Sequence, residues 1–277
     1  MPLVTLKEIL KDAQKKQYAV GAFNVENMEM IQAVVSAAEE MNLPVILQTT
    51  PSTLKYAALD MFFANANALA KNAKVPVVMH LDHGDSYELA EKALKAGYSS
   101  IMIDGSKLPL EENILLTQRT LKLCREYGAS IEAELGSVGG KEDELTAENA
   151  YTNVEDAKRF VAETGIDALA VAIGTAHGVY KSKPNIDLKR LEEIRECVDI
   201  PLVLHGTSGV ADEIVKACIK RGICKVNYAT DLRIAFTKGV RQVLLADAEV
   251  YDPKKYLAKG REEVKNKVLE RMQVCLG

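Results

Sequence analysis

The chain has 277 residues, 48% of them hydrophobic and 27% charged, a composition that can build a sizeable core and excludes a disordered or low-complexity polypeptide. Its 35 basic and 39 acidic residues leave a formal charge of −4 with both signs interspersed, so no basic footprint for nucleic acid exists. No apolar run reaches the ~18 residues that a membrane span needs, and the segment MPLVTLKEIL lacks the basic and apolar parts of a secretory signal.

In chain order, eight short runs rich in apolar or β-branched residues read as strands: YAVGAFN, PVILQTT, VPVVMHLDH, SSIMIDGS, SIEAELG, ALAVAIG, IPLVLHG and ICKVNYAT. Between them, stretches such as SYELAEKALKAG and LEENILLTQRTLKLCREYG carry apolar residues at helical spacing and end on a glycine, the usual C-terminal stop. Strands too apolar to face water, each followed by an amphipathic helix, fit parallel pairing with the helices outside. Eight such units predict a (β/α)8 TIM barrel spanning residues 1–277 as one domain, a fold that typically takes about 250 residues. A doubly wound open sheet is the alternative. The tail over about 253–277, DPKKYLAKGREEVKNKVLERMQ onward, adds a helix after the eighth unit.

One connection departs from the pattern. From about 136 to 153 the chain reads GSVGGKEDELTAENAYTN, glycine-rich and then acidic, before Asn153 opens the next helix; a loop of that length is expected to be a mobile active-site element. The five cysteines, Cys124, Cys197, Cys218, Cys224 and Cys275, are odd in number and form no C-x-x-C pair. That argues against a disulfide framework or thiolate zinc site and suits free thiols in the cytoplasm.

All four histidines fall at strand ends: His80 and His83 on the third, His177 after the sixth, His205 on the seventh. The carboxyl face of such a barrel is where active sites form. Imidazoles from different strands can converge on one Zn²⁺, which catalytic sites hold by three protein ligands with one position open. His83, His177 and His205 are the expected trio, with His80 the alternative to His83. Glu132 and Glu134, two apart, share one face of the fifth strand, and Asp104 ends the fourth. Two buried carboxylates side by side call for a cation, a proton or strong donors. A surface salt-bridge pair is the competing reading of these acids alone. The runs HGTSG and NYATD follow the seventh and eighth strands, where glycines, Ser208 and Thr230 at helix amino termini present backbone N–H groups to phosphate.

With these residues in view, the chain resembles the class II, metal-dependent ketose-bisphosphate aldolases from Leu3 to Cys275, through GAFNVEN, HLDHG, MIDGS, EAELGSVGGKED, IGTAHGVY, LHGTSG and NYATDLR. The resemblance implies a (β/α)8 barrel assembled as a homodimer or homotetramer, which cleaves a sugar bisphosphate reversibly to glycerone phosphate and glyceraldehyde 3-phosphate through an enediolate stabilised by zinc. It assigns the catalytic Zn²⁺ to His83, His177 and His205, and a second divalent metal position to Asp104 and Glu134 with Glu132 beside them. Asp82 becomes the acid/base at the aldehyde-side oxygen, and Glu142, in the long loop, moves the proton at the glycerone phosphate carbon. Substrate contacts fall to Asn24, Thr50, Gly178, Gly206, Thr207, Ser208, Asn227, Tyr228, Ala229, Thr230 and Lys254, and a monovalent cation, Na⁺ or K⁺, accompanies the phosphate segment.

Ala229, where many fructose-bisphosphate enzymes carry aspartate or asparagine, makes the segment N-x-A-T similar to the tagatose-bisphosphate branch. Tagatose 1,6-bisphosphate is therefore the expected substrate and fructose 1,6-bisphosphate the alternative. Lys254 stands where the family's D-P-R tail has arginine, replacing a bidentate fork by a point charge. A metal-dependent barrel hydrolase and a non-enzymatic sugar-phosphate sensor are the rival functions. Intact Asp82 and Glu142 argue against the sensor.

Overall fold

The computed structural model describes residues 3–136, 138, 151–178, 180 and 184–277. The eight apolar runs form β1 (Val20–Asn24), β2 (Val45–Thr49), β3 (Val77–Gly84), β4 (Ser100–Ile103), β5 (Ser130–Leu135), β6 (Ala168–Val171), β7 (Leu202–Leu204) and β8 (Ile223–Tyr228), paired in sequence order into a closed barrel. Every pairing is parallel, and β8 returns to β1, so no sheet edge is left to satisfy. The (β/α)8 expectation holds.

Outside lie α2 (Met28–Met41), α3 (Pro51–Tyr56), α4 (Leu59–Asn72), α5 (Tyr87–Ala96), α6 (Leu110–Glu126), α7 (Val154–Thr164), α8 (Leu188–Cys197), α9 (Asp212–Ile219), α10 (Thr230–Ala246) and α11 (Pro253–Cys275). Their termini follow local chemistry. Asn27, Ser86 and Asn153 accept hydrogen bonds from first-turn amides of α2, α5 and α7, and Gly97 closes α5 in the left-handed conformation. The predicted tail helix is α11. It lies against α10 so closely that a Cβ on Gly239 would sit 2.6 Å from the Lys259 carbonyl oxygen.

One helix is not anticipated by the strand–helix alternation. α1 (Leu6–Lys16) starts with a capping box, Glu8 accepting the Thr5 amide at 2.8 Å, and buries Leu6, Ile9, Leu10 and Ala13. These close the amino-terminal mouth of the barrel, packing on the inward residues Val20, Ala22, Ile46, Val78, Ala168, Ala170 and Val203. The lower barrel is thus dry and apolar, and the polar inward residues collect above it.

The third strand is irregular, and the irregularity positions the chemistry. Its register against β4 shifts between Leu81 and Gly84, and His83 has φ 50. A residue inserted at such a bulge turns its side chain out of the alternating pattern. Asp82 and His83, neighbours that a regular strand would point to opposite faces, therefore both serve the same end of the barrel. Left-handed backbone at a non-glycine residue costs about 1–3 kcal/mol and collects at functional sites.

Candidate active site

At the carboxyl end of the barrel a cavity of about 550 Å³ opens between Asn24, Thr50, Pro51, Ser52, Asp82, His83, His177, Gly178, Gly206, Thr207, Ser208, Asn227, Ala229, Thr230 and Arg233. The rings of His83, His177 and His205 meet beside it, with centroids 5.0 Å apart for His83 and His177, 4.9 Å for His83 and His205 and 6.1 Å for His177 and His205. Of the two histidines of β3, the bulged His83 joins this group. His80 instead turns its Nδ1 to the Ser100 hydroxyl at 2.8 Å, one level deeper.

The partners of each ring decide where its lone pair points. His83 Nδ1 is 2.8 Å from Asp104 Oδ2, and His205 Nε2 is 2.9 Å from Glu132 Oε1; a carboxylate accepts, so each of these nitrogens carries the proton. The opposite nitrogens, His83 Nε2 and His205 Nδ1, face each other at 3.1 Å. Two nitrogens at that distance share a proton or a metal cation, because two lone pairs would repel; a metal ion bound there takes the place of the proton on His83. Glu134 Oε2, buried and without a hydrogen-bond partner, is 3.6 Å from the same His205 Nδ1. The ligand-capable atoms of His83, His177 and His205 all lie within 4.8 Å of one another, as do those of His83, Asp104 and Glu134. The donor set fits a divalent ion, with neutral imidazoles for the first group and carboxylates for the second.

The electrostatics agree. Burial opposes charge on His83, yet Asp82, Asp104 and Glu134 outweigh it and raise its pKa to about 10, the behaviour of a hole built to hold positive charge. Glu134 is pushed up to about 8 by burial, with Asp104 and Glu132 adding to the shift. Burial holds His205 well below its ordinary value.

Asp82 is clasped by amides. Asn24 Nδ2 donates to its Oδ2 at 2.8 Å, Gln48 Nε2 to the same oxygen at 3.3 Å, and Asn227 Nδ2 to Oδ1 at 3.3 Å. Burial would raise this carboxyl, but His83, His205, Lys225 and the Asn24 amide bring it below the ordinary aspartate value. Asp82 is thus a fixed carboxylate, ready to accept a proton.

Two loops close the far side. Gly206 has φ 65, and a Cβ there would lie 2.7 Å from the Ala176 carbonyl oxygen, so only glycine allows the loops after β6 and β7 to meet. Tyr180 bolts them together: its hydroxyl accepts the Ala176 amide at 2.7 Å and donates to the Gly206 carbonyl at 2.6 Å. α10 begins at Thr230 with no cap from its own N-cap residue Ala229; the Asp231 amide donates to Ser208 Oγ at 3.4 Å, and the helix terminus faces the cavity that Ala229 and Thr230 line.

Several expected residues are placed elsewhere. Glu132, expected at the second metal position, gives one oxygen to His205 and the other to Lys225 Nζ at 2.9 Å. Tyr228 points out of the barrel, stacking on Phe23 at 5.7 Å, because Asn227 takes the inward position of β8. Lys254 lies at the start of α11, its side chain 86% exposed and paired with Asp252 rather than lining the cavity. Ser208 stays in the cavity wall but serves a different helix than expected: it precedes α9 by several residues, and its Oγ accepts the Asp231 amide of α10 at 3.4 Å, while α9 turns its first-turn Asp212 to Arg271 on the outside. Glu142 lies outside the described residues, as does most of the long loop. Gln48, Lys225 and Arg233 were not singled out in the sequence, though each had a signal: Gln48 ends an apolar strand, Lys225 shares the parity of Asn227, and Arg233 closes NYATDLR.

A closed parallel barrel bearing clustered histidines and carboxylates at its carboxyl mouth defines a metal-dependent barrel enzyme. The sequence matches the family model for class-II fructose-bisphosphate aldolase over residues 4–276, and the chain belongs to that family, a metal-dependent aldolase and carbon–carbon lyase. It is similar to the YdjI aldolase of Escherichia coli K12, with 35% identity, a TM-score of 0.89 and coverage of 99% of this chain and 97% of that one. A Coccidioides immitis protein described as a candidate fructose-1,6-biphosphate aldolase matches at 31% identity and TM-score 0.88, over 98% of this chain and 95% of that one. The fructose-bisphosphate aldolase of Campylobacter jejuni matches at 26% identity and TM-score 0.85, over 99% and 95%. Among the described residues no helix is long and apolar enough to cross a membrane.

Proposed function

We propose that the protein is a zinc aldolase that reversibly cleaves tagatose 1,6-bisphosphate to glycerone phosphate and glyceraldehyde 3-phosphate. The observation that carries the metal is the convergence of the His83, His177 and His205 nitrogens within 4.8 Å of one another, beside an unpartnered carboxylate oxygen of Glu134. His83, His177 and His205 would hold the Zn²⁺, and Asp104 with Glu134 offers a second divalent position. The ion would supply Lewis-acid stabilisation for the negative charge left when the C3–C4 bond breaks.

The rest falls to the chain's own groups. Asp82 takes the proton from the C4 hydroxyl as that oxygen becomes the aldehyde, and Asn24, Gln48 and Asn227 keep its oxygens aimed. The start of α10, with the backbone of Gly206 to Ser208, receives one phosphate; Arg233 lines the same cavity, its Nε donating to Glu26 at 2.7 Å, and offers its positive charge to an anionic group there. Glu142 is assigned the proton at the glycerone phosphate carbon by resemblance. A monovalent cation, Na⁺ or K⁺, belongs with the phosphate segment on the same ground.

The tagatose preference rests on Ala229, which presents a methyl group to the cavity where many relatives carry a polar side chain. The two sugars are epimers at C4, so one such contact can decide between them. Fructose 1,6-bisphosphate is the second reading, favoured by the family's name. The free thiols suit the cytoplasm, and the exposed Ile234, Leu244 and Leu245 of α10 suit a homodimer or homotetramer.

A coupled assay on both epimers, with and without chelator, tests the proposal. Cleavage should vanish on chelation, return with zinc and be faster for the tagatose isomer. Borohydride with substrate should not inactivate. Chelator-resistant cleavage rejects the mechanism, absence of glycerone phosphate favours a hydrolase, and a strong fructose preference removes the tagatose reading.

A further inference from the structure

Beneath the histidine cluster lies a charged pair that the reaction does not use. Lys225 of β8 and Glu132 of β5 are wholly buried inside the barrel, with Nζ 2.9 Å from Oε2. Removing two charges from water is costly, and well-packed apolar residues of similar volume are commonly at least as stabilising. Stability alone is therefore a poor reason for this pair.

Its geometry supplies a better one. The other oxygen of Glu132 accepts the Nε2 proton of His205 at 2.9 Å, so the carboxylate is held at both ends, by β8 on one side and by the histidine that follows β7 on the other. A carboxylate anchored on one oxygen cannot swing away from the ring on the other. His80 approaches the lysine-bound oxygen only to 3.7 Å, and its own hydrogen bond goes to Ser100, so it does not compete for the oxygen on His205.

We propose that Lys225 and Glu132 are positioning residues for His205: the ammonium fixes the carboxylate, and the carboxylate fixes the ring orientation and the tautomer that leave Nδ1 bare for the divalent ion. The inference rests on the reading of the three histidines as the zinc site. Neither residue touches substrate. The fixed ring faces His83 Nε2 at 3.1 Å, and a rotated or tautomerised His205 would present a proton to the ion instead of a lone pair.

Two measurements test it. In zinc-loaded wild-type protein labelled with ¹⁵N-histidine, His205 should show a protonated Nε2 and a metal-bound Nδ1; a proton on Nδ1 overturns the proposal without need of any variant. The second uses the volume-conserving double variant Lys225→Met/Glu132→Leu, which removes both charges together. Its zinc affinity, read by competition with a chromophoric chelator, should fall about 10- to 100-fold, and the absorption spectrum of its cobalt form should change. Lys225→Met/Glu132→Gln, which restores an acceptor to His205, should recover part of the affinity. A folded Leu variant that binds zinc within twofold of wild type, with the wild-type cobalt spectrum, overturns the positioning role. Wild-type protein that binds no zinc overturns the zinc reading itself, and is told apart by that control.

Discussion

Tyr180→Phe isolates the bolt between the two loops that carry His177 and Gly206. The substitution keeps the ring, which packs against the core, and deletes only the hydroxyl. Two hydrogen bonds go with it, one from the Ala176 amide and one to the Gly206 carbonyl. Each contributes about 0.5–1.5 kcal/mol net, and a buried group left unpaired costs about 1–3, so the loosened loops lose roughly 1–3 kcal/mol of ordering. If the ion draws on that order, its affinity falls roughly 5- to 150-fold, at about 1.4 kcal/mol per tenfold. Chelator competition for zinc, alongside thermal melting of the metal-free protein, measures both ends of the argument. A lowered melting temperature with zinc affinity unchanged would refute it, because the hydroxyl would then serve the fold and not the site.

Asp82→Asn should keep its zinc and lose cleavage by at least about 100-fold, the lower range for a general base; metal analysis beside steady-state rates checks both, and loss of zinc would make Asp82 a ligand instead. Arg233→Ala should raise KM for the bisphosphate roughly 10- to 100-fold with a smaller change in kcat, as expected for a charge-assisted phosphate contact, and its effect should shrink for a monophosphorylated substrate. Because the metal-free His83 carries a proton up to about pH 10 and a ligand must be bare, zinc binding releases that proton. Apparent zinc affinity should therefore rise with pH by up to about tenfold per unit through neutrality and level off above about 10; titrations at fixed chelator strength show this, and a flat profile contradicts the protonated His83.

The barrel was legible because burial on both faces makes each strand an apolar run, and all eight runs became strands in the expected order. α1 was not, since a short amphipathic segment before the first strand says nothing about which end of a barrel it closes. In the site, strand-end position marks His83, His177 and His205, but regular alternation would put His80, not His83, on the face of Asp82. Only the bulge, a backbone event with no side-chain signature, brings His83 to the same mouth. Glu132 and Glu134 read alike as inward acids; what separates them is Lys225 on β8, three strands on from β5 and unseen by any local pattern. Lys254 and Tyr228 were reached through family position, which carries no information about which way a side chain points.

The left-handed backbone at position 83 ties durability to chemistry. Glycine there would relax the chain at once, and asparagine or aspartate would sit there with little complaint, yet each removes an imidazole that no neighbour can replace. Attempts to harden this protein against heat by relieving the backbone at this position will therefore yield sturdier barrels that have lost their grip on the ion.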